Sequence, residues 1–180
     1  RFVEDEIRYL GIELGVGSHR PSPPAVVFGR RFGDCKDKTL LFCAIARALG
    51  ARAQPALVPS RLGRALDEWL PTPYAFDHVV SRVELGGRTY WFDPTLSAQG
   101  GRLGAMHFPD YERALPLGPA VDGLTRLRAP APSAPTRNVH DRFVVKDVKG
   151  EADFTVETRL EGPEADDMRA TLRRESRDGI

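Results

Sequence analysis

The stretch His78–Thr95, HVVSRVELGGRTYWFDPT, reads as two alternating strands around a glycine pair, Gly86–Gly87. A two-residue turn of that kind pairs Leu85 with Arg88 and makes the numbers of every later pair sum to 173. Val80 then faces Asp93. Because strand side chains alternate, His78 shares a face with Val80, Trp91 and Asp93, while Val79, Val83, Leu85, Tyr90 and Phe92 form an opposite, apolar face. His78 and Asp93 become diagonal neighbours, about 7–8 Å apart at Cα, a gap that an imidazole and a carboxylate close with a hydrogen bond.

Upstream, Arg30–Gly50, RRFGDCKDKTLLFCAIARALG, predicts a helix from Cys35 to Leu49, with Leu40, Leu41, Ala44, Ile45, Ala48 and Leu49 as its apolar stripe and Gly50 as its stop. Cys35 therefore starts a helix, where free backbone N–H groups and the positive end of the dipole favour a thiolate. The hairpin supplies what a thiol nucleophile needs besides: His78 to exchange protons with it and with a leaving amine, and Asp93 to orient the imidazole. The Cys35 N–H is one candidate donor to an oxyanion, and the Tyr9 hydroxyl is a possible oxyanion donor beside it. Each residue also has a plainer reading. A cysteine at a helix start is often a small buried residue, His78 could be a partly buried core histidine, and Asp93 before Pro94 could simply open a turn. Cys43, inside the helix near its apolar stripe, reads as packing. The combination of a helix-start cysteine with a hairpin that puts His and Asp on one face is what points to catalysis, and it requires Cys35 to be at least partly accessible.

Around these two stretches, Val3–Ile12 fits a short amphipathic helix, and SHRPSPP reads as an extended loop because Pro21, Pro23 and Pro24 remove donors and fix the backbone. Ala53–Val58 reads as a strand, and Arg61–Tyr74 as a loop with one helical turn near Leu66–Leu70. From Arg128 the composition turns to RAPAPSAPTR, a linker. Two alternating strands follow around Lys149–Gly150, then a polar, arginine-rich helix. The chain thus divides into an α+β core over residues 1–127, a Pro/Ala-rich linker over 128–138, and the start of a β-rich unit over 139–180.

A length of 180 residues, 41% of them hydrophobic, suffices for one sizeable core and a small second unit. Lys and Arg number 26 against 25 Asp and Glu, with no basic stripe interleaved with aromatics, so nucleic acid is not an expected partner. No window is apolar enough for a membrane span. The chain opens at Arg1 without an initiator Met or signal peptide and is read as part of a longer one. Cys35 and Cys43 lie about 12 Å apart along one helix and cannot pair with each other. The histidines at 19, 78, 107 and 140 are dispersed, and there is no EF-hand-type acidic loop, so neither a metal nor another cofactor is expected.

GDCKDKTLLFCAIARALG followed by FDHVVSRVELGGRTYWFDPT resembles the core of the bacterial transglutaminase-like superfamily, a papain-type fold. RYLGIELGVGSHRPSPP is similar to the segment preceding the catalytic turn there, and the resemblance spans roughly Val3 to Leu117. It implies N-terminal helices packed on an antiparallel sheet, with Cys35, His78 and Asp93 as the triad. It also implies a peptide or protein substrate, flanking β-domains, and a periplasmic or envelope location. The reaction implied is cleavage of a peptide or amide bond through a thioester acyl-enzyme, with transfer to an amine acceptor as the alternative. A peptide-binding module without turnover is the alternative of a different kind.

Overall fold

The computed structural model describes residues 1–11, 15–119, 121–128, 136–147 and 149–175. The fold is α+β and forms two compact units, Arg1–Ala98 with Phe108–Pro130, and Gln99–His107 with Ala131–Ile180. Gln99–His107 thus groups with the second unit, whereas the sequence reading draws the core as one run to residue 127. Most of the expected linker, residues 129–135, lies outside the described residues, as does Ile12.

The first unit is built on a five-stranded antiparallel sheet in the order β5-β4-β3-β6-β7, where β3 is Arg52–Val58, β4 His78–Leu85, β5 Arg88–Phe92, β6 Arg113–Pro116 and β7 Thr125–Arg126. The β4–β5 register runs from Leu85 opposite Arg88 to Ser81 opposite Phe92, the pairing that the glycine turn dictates. Gly86 and Gly87 both hold positive φ, 57° and 74°, which is why this turn takes glycines. Both faces of the sheet are covered. Ala53, Val83 and Phe92 meet Cys43, Phe42 and Ala46 of α2 (Cys35–Ala48) on one side. On the other, Ala56, Val58, Val80, Ala114 and Leu127 form a second core with Trp91, Phe108 and Tyr111. The His78 face is therefore as apolar as its opposite.

Four expectations change. Phe2–Glu6 is a single π-helical turn, followed by a two-residue strand β1, Arg8–Tyr9, that pairs in parallel with β2, Phe32–Gly33. The predicted helix over Val3–Ile12 is cut short because Arg8 and Leu10 give their N–H groups to the carbonyls of Arg31 and Gly33 instead. A 3-10 turn, Gly15–Ser18, leads into the SHRPSPP loop, which ends in α1, Pro24–Arg30, with Pro24 at the first helical position, where its missing N–H costs nothing. The α2 stripe is also different: Leu49 is 81% exposed, and Ala48 is exposed too. The helix is buried on two sides, with Leu41 and Ile45 packing on Val3, Ile7 and Val27 while Cys43 packs on the sheet, so no single apolar stripe describes it. The Arg61–Tyr74 loop holds a 3-10 helix at Gly63–Glu68, ahead of the turn expected there.

The second unit pairs β8 (Arg137–Val145) with β9 (Ala152–Leu160) and ends in α3 (Gly162–Glu175). One face of this hairpin carries Val139, Phe143, Val145, Phe154 and Val156, all exposed, with the two phenylalanine rings stacked at 4.4 Å. No helix among the described residues is long and apolar enough to cross a membrane.

Candidate active site

The turn Gly33–Asp34–Cys35 is shaped by two aspartates. Asp34 caps α2, its carboxylate accepting the Asp37 N–H at 3.0 Å and pairing with the Lys36 ammonium at 2.6 Å. Asp37, buried, accepts the Ser22 N–H at 2.6 Å and a bond from the Arg30 guanidinium, which fastens α1 and the chain before it to α2. A Cβ on Gly33 would stand 2.5 Å from the Asp37 Cβ, so the residue must be glycine for Asp37 to sit there. Cys35 is consequently the first helical residue, and its N–H has no intrahelical partner by position.

One turn on, the Thr39 hydroxyl donates to the Val79 carbonyl at 3.0 Å, pinning the start of α2 to the start of β4. Asp77 fixes the entry to that strand by accepting both the N–H and the hydroxyl of Ser60, at 2.6 and 2.7 Å. Cys35 and His78, 43 positions apart, are thereby brought near each other, and Cys35 is among the groups that raise the imidazole.

His78 Nε2 lies 2.9 Å from Asp93 Oδ2. An ionised carboxylate only accepts, so this nitrogen carries the proton, and Nδ1 is left for the thiol. Asp93 is 2% exposed and fully bonded: Oδ2 also accepts the Tyr111 hydroxyl at 2.6 Å, and Oδ1 accepts the N–H and hydroxyl of Thr95 at 2.9 and 2.6 Å. Burial is the largest influence on Asp93 and opposes its charge, but the bonds from His78, Thr95 and Tyr111 outweigh it and hold the carboxyl below its usual range. Burial likewise opposes a charged His78, yet the hydrogen bonds to Asp93 and Cys35 push the imidazole up to about 10.

Three further groups complete the site, and none was expected from the sequence. Tyr111, besides binding Asp93, lays its ring 5.7 Å from that of His78, and burial, with Asp93 next in importance, pushes its phenol up. Thr95 secures the other carboxylate oxygen; its place two residues after Asp93 is the signal that marks an Asx-type turn. Lys38 is 1% exposed and donates to the carbonyls of Ile7 and Glu4 at 2.6 and 3.1 Å. Its burial lowers the ammonium to about 8 against the pull of Glu4, Asp93 and Asp5.

Tyr9 pairs with Gly33 across β1–β2, which places its backbone two residues from Cys35. Its ring is 47% exposed, and the hydroxyl lies over Gly11, where a Cβ would come within 3.1 Å. Cys43 is fully buried with Sγ 3.7 Å from the Ser81 hydroxyl, and burial pushes its thiol up. Cys35 itself is only 4% exposed, so the expectation of a partly accessible thiol is not met: the side chain is covered within the His78 and Tyr111 cluster. No protein-family model, curated protein or solved structure matches this chain.

Proposed function

We propose that the protein is a cysteine-nucleophile enzyme that cleaves peptide or amide bonds with Cys35, His78 and Asp93, in a transglutaminase-like core of the papain type. The observation that carries the reading is the chain of contacts from a thiol at a helix start, through His78, to a buried carboxylate with all its bonds made. A carboxylate so fully held serves to fix an imidazole.

In the first half-reaction the Cys35 thiol gives its proton to His78 Nδ1 as the sulfur attacks the carbonyl carbon, a C–S bond forms, and the oxyanion draws on the free N–H at Cys35. Collapse breaks the C–N bond, His78 gives its Nδ1 proton to the leaving amine, and a thioester remains. Water then attacks the thioester as His78 takes its proton; a C–O bond forms, the C–S bond breaks, and the acid leaves. A primary amine in place of water would give a new amide by the same route. Asp93 keeps its charge throughout and balances the imidazolium.

The test is a panel of peptide amides and glutamine-containing peptides incubated with the protein, with and without a primary amine, and read by mass spectrometry. Acid product that disappears in Cys35→Ala supports the hydrolase reading, and amine adducts that dominate over acid would reassign the acceptor. Absence of both products, with Cys35 inert, would leave a binding module.

A further inference from the structure

Beside Tyr111, at the β6–β7 edge of the sheet, a cleft of about 380 Å³ is lined by Arg64, Arg113, Arg126 and Arg128 together with Asp110 and Glu112. Asp67 grips Arg113 through both carboxylate oxygens, and Glu112 pairs with Arg64 at 3.2 Å. Arg126 and Arg128 form no ion pair among the described residues. Counting Asp67, four guanidiniums meet three carboxylates, so the cleft keeps a net positive charge.

The arrangement of the two unpaired arginines is set by the backbone. Leu127 between them is buried, 6% exposed, in the sheet's core, and its N–H bonds to the Glu112 carbonyl at 2.9 Å. Its neighbours on either side must then both face outward. Glu112 cannot neutralise them: at φ 57° it holds a left-handed conformation, with its carboxylate engaged by both the N–H and the guanidinium of Arg64. Asp110 and Glu112, which line the cleft, stand on either side of Tyr111 in the chain, and the Tyr111 hydroxyl bonds Asp93.

We propose that this cleft is a subsite for the carboxylates of an acidic peptide, held by Arg126 and Arg128, so that the acyl donor is an acidic segment. A guanidinium fork matches a carboxylate with two parallel bonds, and two forks on alternate positions suit an extended peptide with acidic side chains. The proposal rests on the triad reading for its meaning as a substrate site, but binding is measured apart from turnover.

The experiment uses the Cys35→Ala protein and fluorescence anisotropy with two labelled hexapeptides that differ only in Glu against Gln. The Glu peptide is expected to bind about tenfold tighter at moderate salt, and Arg126→Gln with Arg128→Gln to abolish the difference. Arg20→Gln with Arg88→Gln, which removes the same charge elsewhere, should preserve it. Arg126→Lys with Arg128→Lys should retain part of it, since charge survives but the fork does not. Equal binding of the two peptides, a preference that survives the Arg126/Arg128 double variant, or displacement by inorganic phosphate in preference to free glutamate would overturn the assignment. Loss of thiol reactivity in the wild-type protein would instead strike the triad reading and leave this result standing.

Discussion

Tyr111 gives its hydroxyl to the same oxygen of Asp93 that binds His78, at 2.6 Å against 2.9 Å. A phenol that shares the carboxylate oxygen with the imidazole fixes both the carboxylate plane and, through ring contact, the position of His78. Tyr111→Phe keeps the ring and removes only the bond. Removing one hydrogen bond to a charged acceptor is worth about 1.5–3 kcal/mol, so kcat should fall roughly tenfold or more with KM little changed. The acid limb of the pH–rate profile should move up, because Asp93 loses a partner that favours its charge. An unchanged profile would reduce Tyr111 to packing.

His78 and Asp93 leave opposite marks on stability. His78 is raised from 6.5 to about 10, so its contribution is fully present below pH 6.5 and is lost as pH rises through 10. Asp93 is lowered from 3.8, so its contribution is present above that value and disappears as pH falls through the depressed one. Thermal unfolding of His78→Ala should therefore lack the alkaline decline expected of the wild type, with denaturation midpoints compared at pH 6 and pH 10.

Lys38 works in the other direction. Its ammonium is lowered from 10.5 to about 8, so between those values the unfolded chain holds a proton the folded one has released, and stability rises with pH there. Lys38→Met should erase that rise. At pH 7 it should also cost about 1–3 kcal/mol, because the Glu4 and Ile7 carbonyls lose their donor while the burial penalty of the charge is relieved. Hydrogen exchange should quicken in residues 2–9, which those two bonds tie to α2. Denaturant melts at pH 7 and pH 10 separate the two effects.

Gly33→Ala should damage the site without touching it. The added methyl collides with the Asp37 side chain, which must move and release Ser22 or Arg30. Overpacking of this kind costs about 1–3 kcal/mol. Alkylation of Cys35 should slow in the folded protein, whereas Gly17→Ala, with open space around its Cα, should leave both stability and alkylation as they were.

The pairing of His78 with Asp93 was legible because a glycine turn fixes register, and register fixes which side chains meet. Cys35 was legible because Asp34 and the periodic run after it mark a helix start. Tyr111 was not, since nothing local ties a loop residue 18 positions away to Asp93; that contact is made by the packing of Phe108, Tyr111 and Trp91 over the sheet. Nothing in the sequence singled out Lys38. Its burial depends on Phe2–Glu6 folding back over the helix and offering bare carbonyls, which no periodicity within α2 announces. The apolar character of the His78 face was missed for a related reason: Phe108 and Leu127, which cover it, lie in a stretch after the hairpin to which the sequence assigned no element.

In the proposed triad His78 activates Cys35, and the rate of iodoacetamide alkylation at Cys35 is the measurement that decides it. Wild type, His78→Ala and Cys35→Ala would be compared from pH 5 to 8, with the labelled peptide mapped to separate Cys35 from buried Cys43. A small reagent is chosen because Cys35 is only 4% exposed. Activation by His78 predicts fast, single-site labelling of Cys35 that persists toward pH 5 in the wild type and drops by about 100-fold without His78. Labelling that is slow and indifferent to His78 would contradict it, and would make the helix-start cysteine a packing residue.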